Sequence, residues 1–91
     1  MKIWHPYTQE STEPPLLDID RGEGAYLFTR DGRRLIDAIS SWWVNLHGHA
    51  HPLIAEAIAQ QARRLEQVIF AGCTHSPAEL LAESLGRYLP S

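Results

Sequence analysis

The spacing of apolar residues changes near the middle of the chain. After Pro52 the apolar positions follow one face of a helix, because they recur every three or four residues. These positions are Leu53, Ile54, Ala57, Ile58, Ala62, Leu65 and Ile69. Pro52 suits the first position of this helix, where no N–H donor is required. A second helix is predicted at Ser76, since Ser76 and Glu79 have the spacing of a reciprocal capping box and Pro77 lies in the first turn.

Before Pro52 the apolar runs are shorter and indicate strands. Tyr26–Thr29 and Arg34–Ala38 are rich in aromatic and aliphatic residues and flank the dipeptide Asp31-Gly32, a pattern that predicts a β-hairpin. In a longer protein that this chain would begin, we expect the hairpin and the helices to bury four apolar side chains, those of Leu35, Ile36, Leu53 and Ile58.

The chain is therefore expected to have an α+β fold in three parts. Residues 1–23 contain several prolines and glycines but no sustained apolar period, which predicts an irregular arm. Residues 24–51 form the hairpin and a turn, and residues 52–91 form the two helices. A two-stranded hairpin is only marginally stable in water. Because the predicted elements enclose little volume, we expect the chain to be the beginning of something larger.

Composition and charge exclude several classes of function. The 91 residues include 11 acidic and 8 basic side chains, and the arginines are scattered without a basic stripe, so nucleic acid and anionic membranes are poor candidate partners. The single cysteine, Cys73, excludes an internal disulfide and fits a reducing compartment. No window approaches the roughly 18 apolar residues of a membrane span. A cytoplasmic protein is expected.

Three histidines alternate in the stretch SSWWVNLHGHAHP, residues 40–52. In an extended strand His47, His49 and His51 would project from one face and could together bind a metal ion. Gly48 interrupts such a strand, however, and Pro52 disfavours a helical conformation for the residue before it. The alternative interpretation is a turn whose imidazoles form local hydrogen bonds.

The same stretch contains two adjacent tryptophans. If Trp42 and Trp43 lie in an extended segment, their side chains point to opposite faces, so that one of them faces a cavity or a partner. An indole offers a flat apolar face and one N–H donor, as a binding pocket requires. Tyr7 is a further aromatic residue with a polar tip. The alternatives are that one indole packs on the helices while the other is half-exposed, and that Tyr7 only anchors the arm.

Three stretches of the sequence resemble the N-terminal part of the class III aminotransferases. They are WHPYTQ at residues 4–9, GAYLFTRDGRRLIDAISSWWVNLHGHAHPLIAEAIAQQ at residues 24–61, and FAGCTHSPAELLAESL at residues 70–85. The D-G-x-x-[LY]-[IL]-D hairpin followed by G-H-x-H-P is general to this family. The combination of W-H-P-Y-T with S-S-W-W is more specific, and it resembles the branch that forms 7,8-diaminononanoate in biotin biosynthesis.

This resemblance implies an enzyme of fold type I that is homodimeric and uses pyridoxal 5′-phosphate. The chain would be part of its small domain, without the large cofactor domain. The reaction implied is the transfer of an amino group from S-adenosylmethionine to 8-amino-7-oxononanoate. By the same resemblance Trp42, Tyr7 and Trp43 would bind the substrates, and G-H-x-H-P would be a turn that binds no metal.

The chain departs from the family in one respect that matters for catalysis. Its only lysine is Lys2, at a position that does not match the lysine with which the family forms a Schiff base. We therefore expect no catalytic or cofactor-binding residue in this chain and no activity from the chain alone. Three alternatives remain, namely another class III omega-aminotransferase, a small metal-binding module, and a non-catalytic interaction module in which Trp42 and Tyr7 contact a protein partner.

Overall fold

The computed structural model describes residues 3–9 and 15–90. The chain divides into two compact units, Met1–His51 and Pro52–Ser91. Within these described residues the first unit contains three strands and a single helical turn, and the second contains two helices, so the predicted α+β class is confirmed. In chain order the elements are β1 (Ile19–Glu23), β2 (Tyr26–Thr29), β3 (Arg34–Ile36), α1 (Ser40–Trp43), α2 (Pro52–Arg64) and α3 (Ser76–Gly86).

The sheet of the first unit has one strand more than the sequence predicted. It is antiparallel with the order β1-β2-β3, and β1 lies within the segment expected to be an irregular arm. β1 has the sequence IDRGE, which has no alternation of apolar and polar residues. It is a strand because it pairs with β2, and its own sequence pattern does not predict this. Arg21 pairs with Phe28 across the two strands, and its guanidinium lies 3.6 Å from the centre of the Phe28 ring.

The predicted hairpin is formed by β2 and β3, although β3 ends at Ile36 rather than Ala38. Gly32 takes the positive φ of 92° that the turn requires, and its N–H donates to the Thr29 carbonyl at 3.0 Å. The Thr29 hydroxyl donates to the Asp31 carboxylate and accepts from the N–H of Arg33. Thr29, which is 5% exposed, is held by this turn and by its pairing with Ile19 of β1.

The second helix, α3, begins at Ser76 as predicted, but its cap differs from the prediction. His75 occupies the capping position, where its Nδ1 accepts from the N–H of Ala78 at 3.4 Å. Because Ser76 already lies in the helix, it does not cap it, and the predicted capping box of Ser76 and Glu79 is wrong. Glu79 instead accepts a hydrogen bond from the hydroxyl of Thr74 at 3.0 Å.

The apolar faces of both units are largely open. α2 begins at Pro52 as predicted, yet Leu53 is 77% and Ile58 is 65% exposed. Ile36 is also exposed and Leu35 is half-buried in this chain, so the burial of these four side chains in a longer protein stays a prediction. Among the described residues no apolar side chain is buried. In the same part of the chain no helix is long and apolar enough to cross a membrane.

Candidate functional site

The stretch SSWW forms a left-handed turn instead of the extended segment that the sequence predicted. Its four residues, Ser40–Trp43, have φ values of 49°, 45°, 64° and 70°. We refer to these residues as the left-handed turn. Each non-glycine residue in this conformation costs roughly 1–2 kcal/mol relative to the right-handed one. Four in succession therefore persist only because surrounding contacts hold them.

Backbone hydrogen bonds close this turn. The N–H of Trp43 donates to the carbonyl of Ile39 at 2.9 Å, and the N–H groups of Val44 and Asn45 donate to the carbonyl of Ser40 at 3.0 and 3.2 Å. Val44 returns to a right-handed conformation with a φ of −91°. The left-handed turn thus ends after one turn.

The carboxylate of Asp37 binds the left-handed turn from one side. One oxygen accepts from the backbone N–H of Ser41 at 3.0 Å, and the other accepts from the hydroxyl of Ser41 at 2.7 Å. The Asp37 side chain is 6% exposed. The hydrogen bond from the Ser41 backbone, followed by those from the Ser41 hydroxyl and His49, lowers the pKa of Asp37 to about 2. Asp37 is therefore an anion over the whole physiological pH range.

His49 binds the same carboxylate, at the oxygen that also accepts from the Ser41 hydroxyl. Its Nε2 lies 2.7 Å from the Asp37 carboxylate, and its Nδ1 lies 2.9 Å from the side-chain nitrogen of Asn45. Because an amide nitrogen only donates, Nδ1 is the acceptor and Nε2 carries the hydrogen that is donated to Asp37. We call Asp37, Ser41, Asn45 and His49 the Asp37 network.

Glycine makes room for the imidazole of this network. The backbone of His49 pairs with that of Gly24, with N···O distances of 2.8 and 3.1 Å. The ring then lies over Gly22, where an added Cβ would come within 2.7 Å of the His49 Cβ and 2.8 Å of its Cγ. The position of the ring is therefore fixed by the sheet as well as by hydrogen bonds.

The three alternating histidines do not come together as one group of ligands in the described part of the chain. His49 is hydrogen-bonded on both ring nitrogens, while His47 and His51 meet edge to face with ring centres 6.3 Å apart. No group of three potential metal ligands occurs among the residues described. The interpretation of a turn with local imidazole hydrogen bonds describes His49 correctly.

Two of the three predicted site residues lie together. The rings of Tyr7 and Trp42 are 5.4 Å apart between centres and inclined by 53°. Both are open to a ligand, since Trp42 is 56% and Tyr7 is 87% exposed. Trp43 lies next to Trp42 on the left-handed turn and is 79% exposed. Such a pair offers two apolar ring faces with an indole N–H and a phenol hydroxyl, which suits a flat or elongated ligand with polar groups.

Sequence reasoning missed the residues that support this aromatic pair. Asp37, Ser41, Asn45 and His49 are spaced by four residues along the chain, and all carry hydrogen-bonding side chains. This regular spacing was a signal that could have been used. The positive φ angles were not accessible from the sequence, because the left-handed turn contains no glycine.

Comparison with known proteins gives the family. A family model described as class III aminotransferase matches residues 7–91. The chain belongs to the class III aminotransferases. It is 59% identical over 88 residues to the adenosylmethionine-8-amino-7-oxononanoate aminotransferase of Synechococcus elongatus, a match that covers 97% of the chain and 21% of that protein.

Solved structures of this family share the fold. The crystal structure of the enzyme of the same name from Methanocaldococcus jannaschii is 46% identical, with a TM-score of 0.87 over 97% of this chain and 20% of its own. An omega transaminase from Pseudomonas jessenii in complex with PMP is 31% identical, with a TM-score of 0.85 over 98% of this chain and 20% of its own. The chain thus spans about a fifth of the length of the relatives it matches.

The cofactor of such enzymes does not fit the residues described here. A transaminase holds pyridoxal phosphate as a Schiff base on a lysine. The only lysine, Lys2, lies outside the described residues and at the unmatched position noted above. Among the described residues, the candidate site therefore offers aromatic faces and hydrogen-bonding groups but no amine that could hold this cofactor.

Proposed function

We propose that this chain contributes to an enzyme that transfers an amino group from S-adenosylmethionine to 8-amino-7-oxononanoate, giving 7,8-diaminononanoate in biotin biosynthesis. Sequence identity supports this choice, since the chain is 59% and 46% identical to two proteins named for that reaction but 31% identical to the omega transaminase. Pyridoxal phosphate would carry the amino group between the two substrates and would be held by other parts of a longer protein.

The role proposed for this chain is to form an aromatic wall of the substrate site. The contact between Tyr7 and Trp42, made on an exposed turn of unfavourable backbone conformation, is the observation that supports it most strongly. The indole face would stack on a flat ring such as adenine or pack on the aliphatic chain of the oxononanoate. The Trp42 N–H and the Tyr7 hydroxyl would orient polar groups, and Trp43 would make a further contact.

The assembly and location proposed are those of a cytoplasmic homodimer. The apolar faces of both units are open within this chain, and a large exposed apolar area is typical of an interface with another domain or subunit. The lone Cys73 is consistent with a reducing compartment.

Another class III omega-aminotransferase is the second candidate. The TM-score of 0.85 to the Pseudomonas jessenii enzyme is close to the 0.87 of the Methanocaldococcus jannaschii enzyme, so the backbone alone does not separate the two activities. Only the choice of amino donor and acceptor separates them.

A hybrid enzyme tests the proposal. In it, this chain replaces the matching 88 residues of the Synechococcus elongatus aminotransferase. We expect the hybrid to form 7,8-diaminononanoate from S-adenosylmethionine and 8-amino-7-oxononanoate, as measured by product mass spectrometry. The unaltered Synechococcus elongatus protein is the matched control. A folded, cofactor-loaded hybrid that uses simple omega-amines but not S-adenosylmethionine would favour the second candidate.

A further inference from the structure

We propose that Asp37 is a positioning residue for substrate binding, which acts by holding Ser41 in the left-handed conformation that places Trp42 against Tyr7. This inference rests on the proposed role of Trp42 and Tyr7 in the substrate site. It assigns a function to a carboxylate that touches neither aromatic ring, and it predicts which substitution at residue 41 compensates for its loss.

The contact between Asp37 and Ser41 is suited to this role because two hydrogen bonds hold one residue. The carboxylate accepts from the backbone N–H of Ser41 at 3.0 Å and from its hydroxyl at 2.7 Å. A residue held through both its backbone and its side chain has little freedom to rotate about φ and ψ. Ser41, with a φ of 45°, directly precedes Trp42. The orientation of the Trp42 indole therefore depends on these two hydrogen bonds.

Asp37 is itself fixed by the rest of the first unit. Its backbone N–H donates to the carbonyl of Ala25 at 2.8 Å, which attaches it to the turn between β1 and β2. Its carboxylate accepts from His49, whose ring is oriented by Asn45 and packed over Gly22. Side chains that are locked by packing and by further hydrogen bonds position a binding group more accurately than a free loop does.

Glycine at residue 41 provides a specific test, because glycine adopts positive φ without steric cost. If Asp37 serves to hold this conformation, its loss should matter less when residue 41 is glycine. We therefore compare the hybrid enzyme with Asp37→Ala, Ser41→Gly and the double variant. Asp31→Ala is the matched control, since Asp31 also accepts a hydrogen bond from a hydroxyl but lies in the hairpin turn.

The kinetic result expected is a rise in KM with little change in kcat. For Asp37→Ala we expect the KM for 8-amino-7-oxononanoate to rise roughly tenfold while kcat falls less than about threefold, because binding rather than chemistry is affected. In the Ser41→Gly background the same substitution should raise KM less than about threefold. Asp31→Ala should leave both constants unchanged. An equal loss in both backgrounds would show that Asp37 only supports the fold, and would overturn the inference.

A spectroscopic readout tests the same point without activity. In fluorotryptophan-labelled hybrid enzyme, the fluorine NMR signal of Trp42, assigned with Trp42→Phe, should be single in the unsubstituted protein. It should broaden or split with Asp37→Ala and sharpen again in the double variant. An unchanged signal with Asp37→Ala would overturn the inference. If Asp37→Ala does not fold, Asp37→Asn takes its place, with a smaller rise in KM and the same dependence on residue 41.

The two proposals fail in different ways. A hybrid that does not make 7,8-diaminononanoate, or in which Trp42→Ala leaves KM unchanged, contradicts the proposed function. The fluorine signal then still decides whether Asp37 orients Trp42. A hybrid that is active and sensitive to Trp42→Ala, but insensitive to Asp37→Ala, contradicts only the positioning role.

Discussion

Two turns in the first unit are each organised by an aspartate, and they differ in how the backbone takes positive φ. In the hairpin turn Asp31 binds the hydroxyl of Thr29, and Gly32 alone has a positive φ. In the left-handed turn Asp37 binds the hydroxyl of Ser41, and four residues without a glycine have positive φ. The Asp31 side chain is 64% exposed, whereas that of Asp37 is 6% exposed.

One turn takes its positive φ at a glycine, whereas the other takes it at four residues that have side chains and is held by a buried aspartate. In the hairpin turn the hydrogen bonds around Gly32 join Thr29, Asp31 and Arg33, which lie within four residues, although Arg30 also binds Asp18, twelve positions away. The left-handed turn depends on His49, which is twelve positions from Asp37, and on the space over Gly22. Strained backbone of this kind clusters at functional sites, which is consistent with the substrate-binding role that we propose for the tryptophans. Here it presents Trp42 and Trp43, and the hairpin turn presents neither.

The largest expected effect comes from Trp42→Ala in the hybrid enzyme. Losing the stacked ring and its N–H donor typically costs about 1–3 kcal/mol, which corresponds to roughly a tenfold to hundredfold fall in kcat/KM. The melting temperature should change little, because the side chain is 56% exposed and its removal leaves no closed cavity. Steady-state kinetics and thermal unfolding measure the two quantities.

The controls for Trp42→Ala lie close to it. Val44→Ala removes a 75% exposed side chain just after the left-handed turn and should leave kcat/KM unchanged. Tyr7→Phe keeps a ring beside Trp42 and loses only the hydroxyl, so its effect should be smaller than that of Trp42→Ala. Early unfolding of Trp42→Ala with normal kinetics in the folded fraction would make Trp42 a packing residue and contradict its place in the substrate site.

The same contrast explains what the sequence predicted. The Asp31-Gly32 turn, the start of α2 at Pro52 and the class of the fold follow from local patterns, and these predictions are confirmed. β1 was missed because IDRGE becomes a strand only by pairing with β2. The left-handed turn was missed because its conformation is set by Asp37 and His49, which no local propensity reveals. The family resemblance implied that Tyr7 and Trp42 both bind substrate, but the contact between their rings was not predicted.

Substituting alanine at Gly22 and at Gly32 tests the difference between the two turns. Gly22→Ala places a Cβ 2.7 Å from that of His49, and overpacking of this kind typically costs about 1–3 kcal/mol. Because His49 must move, we expect the KM for 8-amino-7-oxononanoate to rise as well. Gly32→Ala meets no atom within 4 Å but must adopt a φ near 92°, at a cost of roughly 1–2 kcal/mol.

The two glycine variants should therefore differ in KM even where they lose similar amounts of stability. Thermal unfolding should show a loss for both, while steady-state kinetics should show a raised KM for Gly22→Ala alone. A raised KM for Gly32→Ala would mean that the hairpin turn also positions the substrate site, and the contrast between the two turns would then be lost.

Acid should leave the left-handed turn intact down to low pH. The folded pKa of Asp37, about 2, lies below its ordinary value of 3.8, so the stabilising contribution of its charge is complete above 3.8 and is lost as the pH falls toward 2. The fluorine signal of Trp42 should thus stay constant from neutral pH down to the ordinary value. A change in this signal with a midpoint between neutral pH and pH 3.8 would show that the carboxylate is not held as the structure indicates.

The smallest effect is expected for Asp31→Ala. The hydrogen bond from Thr29, followed by that from Arg33, lowers the pKa of Asp31, yet the group is largely exposed to water, which screens such interactions. Gly32 still supplies the positive φ, and Thr29 still accepts from the N–H of Arg33 at 2.9 Å. Hydrogen exchange at the amides of Gly32 and Arg33 should therefore rise only slightly. Strong loss of protection across β2 and β3 would show that the hairpin turn, like the left-handed turn, depends on its aspartate.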